Sequence, residues 1–143
     1  MAANFFKGAF NLVQINLSDN KLNKVNENLF KGLESLELID FSYNQIKKIP
    51  VKCFNGLLKL KILRFNDNKL KMIEQGTLSG LVNLKEIDIS SNELREIDST
   101  LFNGLNNVNL INLFSNQFEI EMSDEYFQLG NKVHFNWNKT YCN

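Results

Sequence analysis

Apolar and polar positions recur along this chain with a long period, and within each period lies a short stretch of strict alternation. Asn20, Asn44, Asn68, Asn92 and Asn116 stand 24 residues apart, as do Gly8, Gly32, Gly56, Gly80 and Gly104. Phe6, Phe30, Phe54, Leu78 and Phe102 form a third ladder in the same register. Counting Leu36 as position 1, the fourth position carries Ile15, Ile39, Leu63, Ile87 and Ile111, and the sixth carries Leu17, Phe41, Phe65, Ile89 and Leu113. Apolar residues two apart put one side of a short strand inward and the other outward. Leu22, Ile46, Leu70, Leu94 and Phe118 follow at position 11, then Val25, Ile49, Ile73 and Ile97 at position 14. Each coil thus directs about six side chains inward, and only stacking against neighbours can bury them. The pattern predicts a partial coil over 1–11 and coils over 12–121 starting at 12, 36, 60, 84 and 108. An irregular C-terminal cap over 122–143 follows, because Glu121 breaks the rhythm at position 14. Within it, Val133 to Trp137 alternates like a closing strand.

The Asn ladder has a specific physical reason. Where the chain leaves the strand, backbone N–H and C=O groups point inward without a strand partner. A primary amide supplies two donors and an acceptor, so stacked Asn side chains satisfy those groups coil after coil. The Phe ladder fills the wider side, and the Gly after it stands where a side chain would be costly.

Leu36-Glu37-Leu38-Ile39-Asp40-Phe41-Ser42-Tyr43-Asn44-Gln45-Ile46 fits L-x-x-L-x-L-x-x-N-x-L. With the segments Phe30-Lys31-Gly32-Leu33, Phe54-Asn55-Gly56-Leu57 and Phe102-Asn103-Gly104-Leu105, the chain resembles the 24-residue "typical" subclass of leucine-rich-repeat proteins over roughly residues 5–120. That resemblance implies an α/β fold: a right-handed solenoid, or horseshoe, with a parallel sheet on the concave face and loops and short helical turns on the convex face. The subclass is mostly extracellular and includes Toll-like receptors, Slit-type guidance proteins, matrix proteoglycans and variable lymphocyte receptors. Members usually carry cysteine-bearing caps, which this sequence lacks, so it reads as a fragment of a longer ectodomain or as an atypical short member.

Composition narrows the picture. Lys+Arg and Asp+Glu are balanced at 16 each over 143 residues, so the overall field gives no reason to expect nucleic acid or an anionic membrane as partner. No apolar run approaches the roughly 20 residues of a membrane span, so no membrane insertion is expected. The opening residues lack the basic-then-apolar pattern of a secretory signal. Cys53 shares a repeat position with Leu29, Thr77 and Leu101 and reads as a small packed residue. At about 4.8 Å per coil, Cys142 lies some 15–20 Å from it, beyond disulfide reach. Cys142 either pairs beyond this sequence or remains free. The sequons at Asn16 and Asn138 are glycosylation candidates. With 23 Asn and 12 Ser plus Thr, however, chance alone yields about two such tripeptides. The single histidine, His134, has no ligand cluster and no nucleophile beside it in the sequence pattern. Neither a metal site, nor a cofactor, nor an active site is expected.

Framework positions repeat their residue types, whereas the outward strand positions 3, 5, 7 and 8 do not. They place Leu38, Asp40, Tyr43, Ile62, Arg64, Asp67, Asp88, Asn112 and Phe114 on the concave face as binding candidates, with Arg64 among Asp40, Asp67 and Asp88 as a polar network. Exposed apolar and aromatic residues in such a cluster mark contact sites. The expected function is a non-catalytic recognition module of an extracellular receptor, adhesion or innate-defence protein, binding a protein or a glycan. The alternative is an intracellular scaffold using the same surface. The open N-terminal coil is expected to offer a self-association surface.

Overall fold

The computed structural model describes residues 5–118 and 134–136. Six strands of three residues form one parallel sheet in chain order: β1 Gln14–Asn16, β2 Leu38–Asp40, β3 Ile62–Arg64, β4 Glu86–Asp88, β5 Leu110–Asn112 and β6 His134–Asn136. Each residue pairs with the one 24 positions later, as in Ile15↔Ile39, Ile39↔Leu63, Leu63↔Ile87 and Ile87↔Ile111. The last pairing, Leu110↔His134, keeps the same interval. Of the expected cap over 122–143, this strand is the described part; Cys142 and Asn138 lie outside the described residues.

Each strand is short because the chain turns sharply after position 6, yet coil-to-coil bonding continues past its end. The position-6 amide of Phe41 donates to Arg64 O at 2.8 Å, and the position-8 amide of Tyr43 donates to Asn66 O at 3.0 Å, both in the following coil. At position 10 the direction reverses, with Gln45 N donating to Leu22 O in the preceding coil at 2.8 Å. The Asn ladder sits at this reversal. Asn68 Nδ2 donates to Phe41 O of the preceding coil (2.9 Å) and to Phe65 O and Asn66 O of its own (3.1 and 3.2 Å). Its carbonyl oxygen accepts from Ile46 N at 2.9 Å. Asn44 and Asn92 repeat the set, and Asn116 repeats its bonds to the preceding coil through Ile89 O and Leu94 N. The side chain of Asn20, in the first full coil, bonds only to carbonyls of its own coil, and the residue is exposed.

The interior is one continuous apolar column. Positions 4, 11 and 14 are buried from Ile39 onward, and Phe30, Phe54, Leu78 and Phe102 fill the side away from the sheet. Phe30 stacks on Phe54 at 5.9 Å between ring centres, Phe41 stacks on Phe65 at 5.2 Å, and edge contacts join the two pairs. In the first coil Leu12, Leu17 and Leu22 are only partly buried, because no described coil covers them.

The convex arc is built of loops and short turns, as expected. Among the described residues it contains no helix. Isolated three-residue turns close through Leu29 N→Asn26 O, Leu33 N→Phe30 O and Leu36 N→Leu33 O at 3.0–3.1 Å. Helix propagation would require uninterrupted right-handed dihedrals, and Gly32 at φ 81° breaks that run, as does Gly56 at φ 84° in the next coil. The architecture is a β-solenoid, and the α component of the expected α/β class is lacking there.

Two stability outcomes follow. Asn68→Ala strands three carbonyls and one amide in the core and should lower unfolding free energy by about 3 kcal/mol or more, whereas Asn20→Ala should stay under about 1 kcal/mol. Denaturant titration of both variants reads that contrast. The Thr77 hydroxyl is buried without a hydrogen-bond partner at a position otherwise held by Leu29, Cys53 and Leu101. Thr77→Val should therefore stabilise the fold by roughly 1 kcal/mol, visible as a raised melting temperature.

Candidate functional site

The outward strand positions form rows that run across the sheet. The position-3 row contains Gln14, Leu38, Ile62, Glu86 and Leu110, with Leu38 directly beside Ile62 and both half-buried. The position-5 row is Asn16, Asp40, Arg64, Asp88 and Asn112. There Arg64 Nη1 lies 3.9 Å from Asp40 Oδ2, and Asn112 Nδ2 donates to Asp88 Oδ2 at 3.0 Å. Asp67, at position 8, accepts from Asn66 rather than from Arg64, at 2.9 Å. Of the expected network around Arg64, the Asp40 contact is the one ion pair formed among the described residues. Tyr43 is 58% exposed and Phe114 46% exposed, three coils apart, or roughly 14 Å along the sheet.

Several of these positions also shape the backbone, which their varied residue types conceal. Asp40 Oδ1 accepts from both the amide and the hydroxyl of Ser42, at 2.9 and 2.6 Å, and both residues are buried rather than outward and solvated. Asp88 does the same with Ser90, and Asn16 with Ser18. Asn112 accepts from the amide of Phe114 at 3.2 Å. These bonds fasten the turns that end β1, β2, β4 and β5. The signal was present in the sequence as Asp/Asn-x-Ser at positions 5 and 7 of three coils. It also accounts for the Asn16 sequon, which is this turn motif with Asn at its first position. Position 8 carries a further demand. Asp19, Tyr43, Asp67, Ser91 and Ser115 all have left-handed backbones, φ 51–55°. Asp tolerates that region through its short polar side chain, whereas a bulky aromatic is strained there.

The remaining candidates take ordinary places. Cys53 is buried and free, and desolvation pushes its thiol far above the usual range, so thiolate chemistry is not on offer. His134 is exposed on β6. Among the described residues no group of three or more His, Cys, Asp or Glu is placed to hold a metal ion, and no helix is long and apolar enough to cross a membrane. The solvated row of Lys47, Lys48, Lys71, Glu74, Arg95 and Glu96 lies at the surface, with Lys48 Nζ 2.6 Å from Glu74.

The sequence profile of the BspA type Leucine rich repeat region matches residues 1–132 in six copies. The chain belongs to this leucine-rich-repeat family. Its repeat superposes on one chain of the Drosophila Toll–Spätzle complex (glycosylated form) with a TM-score of 0.77 and 28% identity. That match covers 89% of this chain and 17% of the other. A chain of the TLR13–ssRNA13 complex gives 0.82 and 26%, covering 92% and 19%. This leucine-rich-repeat chain therefore spans under a fifth of the length of either neighbour. No curated protein matches it. One neighbour is an RNA complex, so the expectation that nucleic acid is no partner finds no support from these relatives.

The left-handed backbone at Tyr43 makes a checkable claim on this repeat. Tyr43→Asn should raise stability by about 1 kcal/mol, since Asn accepts that conformation more readily. A loss of stability in thermal denaturation would show that the tyrosine ring contributes packing that outweighs the strain.

Proposed function

We propose that this chain is the ligand-recognition part of an extracellular leucine-rich-repeat protein, holding a protein or glycan on its concave sheet. One observation carries the reading: Tyr43 and Phe114 stand exposed on the sheet face, bracketing the half-buried Leu38–Ile62 pair and the Arg64–Asp40 contact. Nothing in the framework requires aromatic rings there, and at Tyr43 the backbone disfavours one. Large apolar anchors beside a half-desolvated charge are what a contact surface uses. The Toll–Spätzle complex supports a receptor of extracellular type with a protein ligand.

Charge favours a partner that is not a polyanion. Asp19, Asp67, Glu86 and Asp88 lie on this face, with the buried Asp40 behind them, against Arg64 alone among the described outward positions. A phosphate backbone would meet repulsion there rather than release of counterions. Basic or neutral protein surfaces and uncharged glycans fit the face. Enzymatic chemistry has no constellation to support it among the described residues, and the families that the chain resembles act by binding.

The test is substitution of Tyr43, Ile62, Arg64 and Phe114 by Ala, singly, with affinity measured for ligands captured from the native source. Loss of either aromatic anchor should weaken binding roughly thirtyfold, with the circular dichroism spectrum unchanged. Wild-type affinity in all four folded variants removes the concave face from consideration.

A further inference from the structure

A second surface lies on the flank of the solenoid, where the chain turns from the convex arc into the strands. Glu37, Lys59, Lys61, Asn83, Lys85 and Asn107 line a groove of about 390 Å³ across three adjacent coils. Lys61 Nζ is paired with Glu37 at 2.9 Å, whereas Lys59 and Lys85 have no ion-pair partner among the described residues. The groove therefore carries an uncompensated positive charge in a chain whose overall charge is zero. Leu58 and Val82, at equivalent positions of successive coils, stand 57% and 44% exposed beside Lys59 and Asn83. The amides add a directional feature. Asn83 Nδ2 is committed to Leu58 O and Asn107 Nδ2 to Val82 O, both at 2.8 Å, so the donor ends are held against the coil before. Their side-chain oxygens remain as acceptors.

We propose that this groove docks an extended acidic segment of a protein partner, with carboxylates on Lys59 and Lys85 and an aliphatic side chain across Leu58 and Val82. The Asn83 and Asn107 oxygens accept backbone N–H groups of that segment. Each part of the groove selects for a peptide. The free lysines require anions. Leu58 and Val82, exposed next to the lining residues Lys59 and Asn83 in the chain, have nothing to contact on a sulfated glycan or a phosphate backbone. The Asn83 and Asn107 oxygens, whose amide nitrogens are already committed, call for the N–H donors that an extended backbone supplies along its length. The site is separate from the concave sheet, whose acidic character would repel the same segment.

The experiment uses the whole chain, labelled with ¹⁵N, and a short blocked peptide of alternating glutamate and leucine as probe. Saturable shifts should centre on Leu58, Lys59, Asn83, Lys85 and Asn107, while the amides of Tyr43 and Phe114 stay still. Lys59→Glu with Lys85→Glu, both at exposed positions, should weaken the complex roughly tenfold. Leu58→Ser should weaken it without altering the charge, and Lys48→Glu with Lys71→Glu should leave it unchanged. No saturable shifts, or equal loss in that control pair, overturns the proposal, since only non-specific attraction would then be at work. Tighter binding of a sulfated oligosaccharide, single-stranded RNA or anionic vesicles to the same residues also overturns it, in favour of a polyanion site.

Discussion

The structure depends on one recurring constraint: at every coil the chain must reverse its hydrogen-bonding direction inside the core. At positions 6, 8 and 9 amides donate forward to the following coil, and at position 10 they donate backward. The carbonyls and amides at the reversal cannot reach strand partners, and leaving them unmade in an apolar column would cost about 1–3 kcal/mol each. A single Asn amide bridges the reversal by taking one carbonyl of the preceding coil and the local carbonyls while accepting one amide. Because each Asn from Asn44 to Asn116 touches two coils, the bond set exists only when the coils are stacked 24 residues apart. Register and stacking are therefore the same event, and stability resides in coil-to-coil interfaces.

The Phe column follows from that geometry. Coils held at strand spacing on one side must be filled on the other, and stacked rings at 5.2–5.9 Å do so with the same repeat. The convex arc then has only to bring the chain back. Separate turns ended by left-handed glycines suffice, which is why no helix forms there among the described residues. Turns of this kind leave the flank irregular, and the basic groove lies where three of them meet their strands.

Electrostatics divides the surface even though the total charge is zero. The sheet face gathers Asp40, Asp67, Asp88 and Glu86 around Arg64, whereas the flank gathers Lys59, Lys61 and Lys85. A balanced composition thus conceals two faces of opposite preference. An argument from net charge bears on bulk attraction and says little about a face.

From the sequence alone, the repeat fixed strand positions, register, the Asn ladder and the buried column, because each of those is a one-residue demand renewed every 24 positions. Cys53 as a packed residue was legible for the same reason. Only the tertiary structure decided how the varied positions divide. Asp40, Asp88 and Asn16 use one oxygen to fasten the turn, position 8 is left-handed in all five coils, and Arg64 pairs with Asp40 while Asp67 turns to Asn66. The flank groove was likewise invisible, since its lysines and amides come from three coils and share no sequence neighbourhood. A repeating position reports its environment by what it conserves within the chain. A position that varies reveals its role only when the neighbours from adjacent coils are in place.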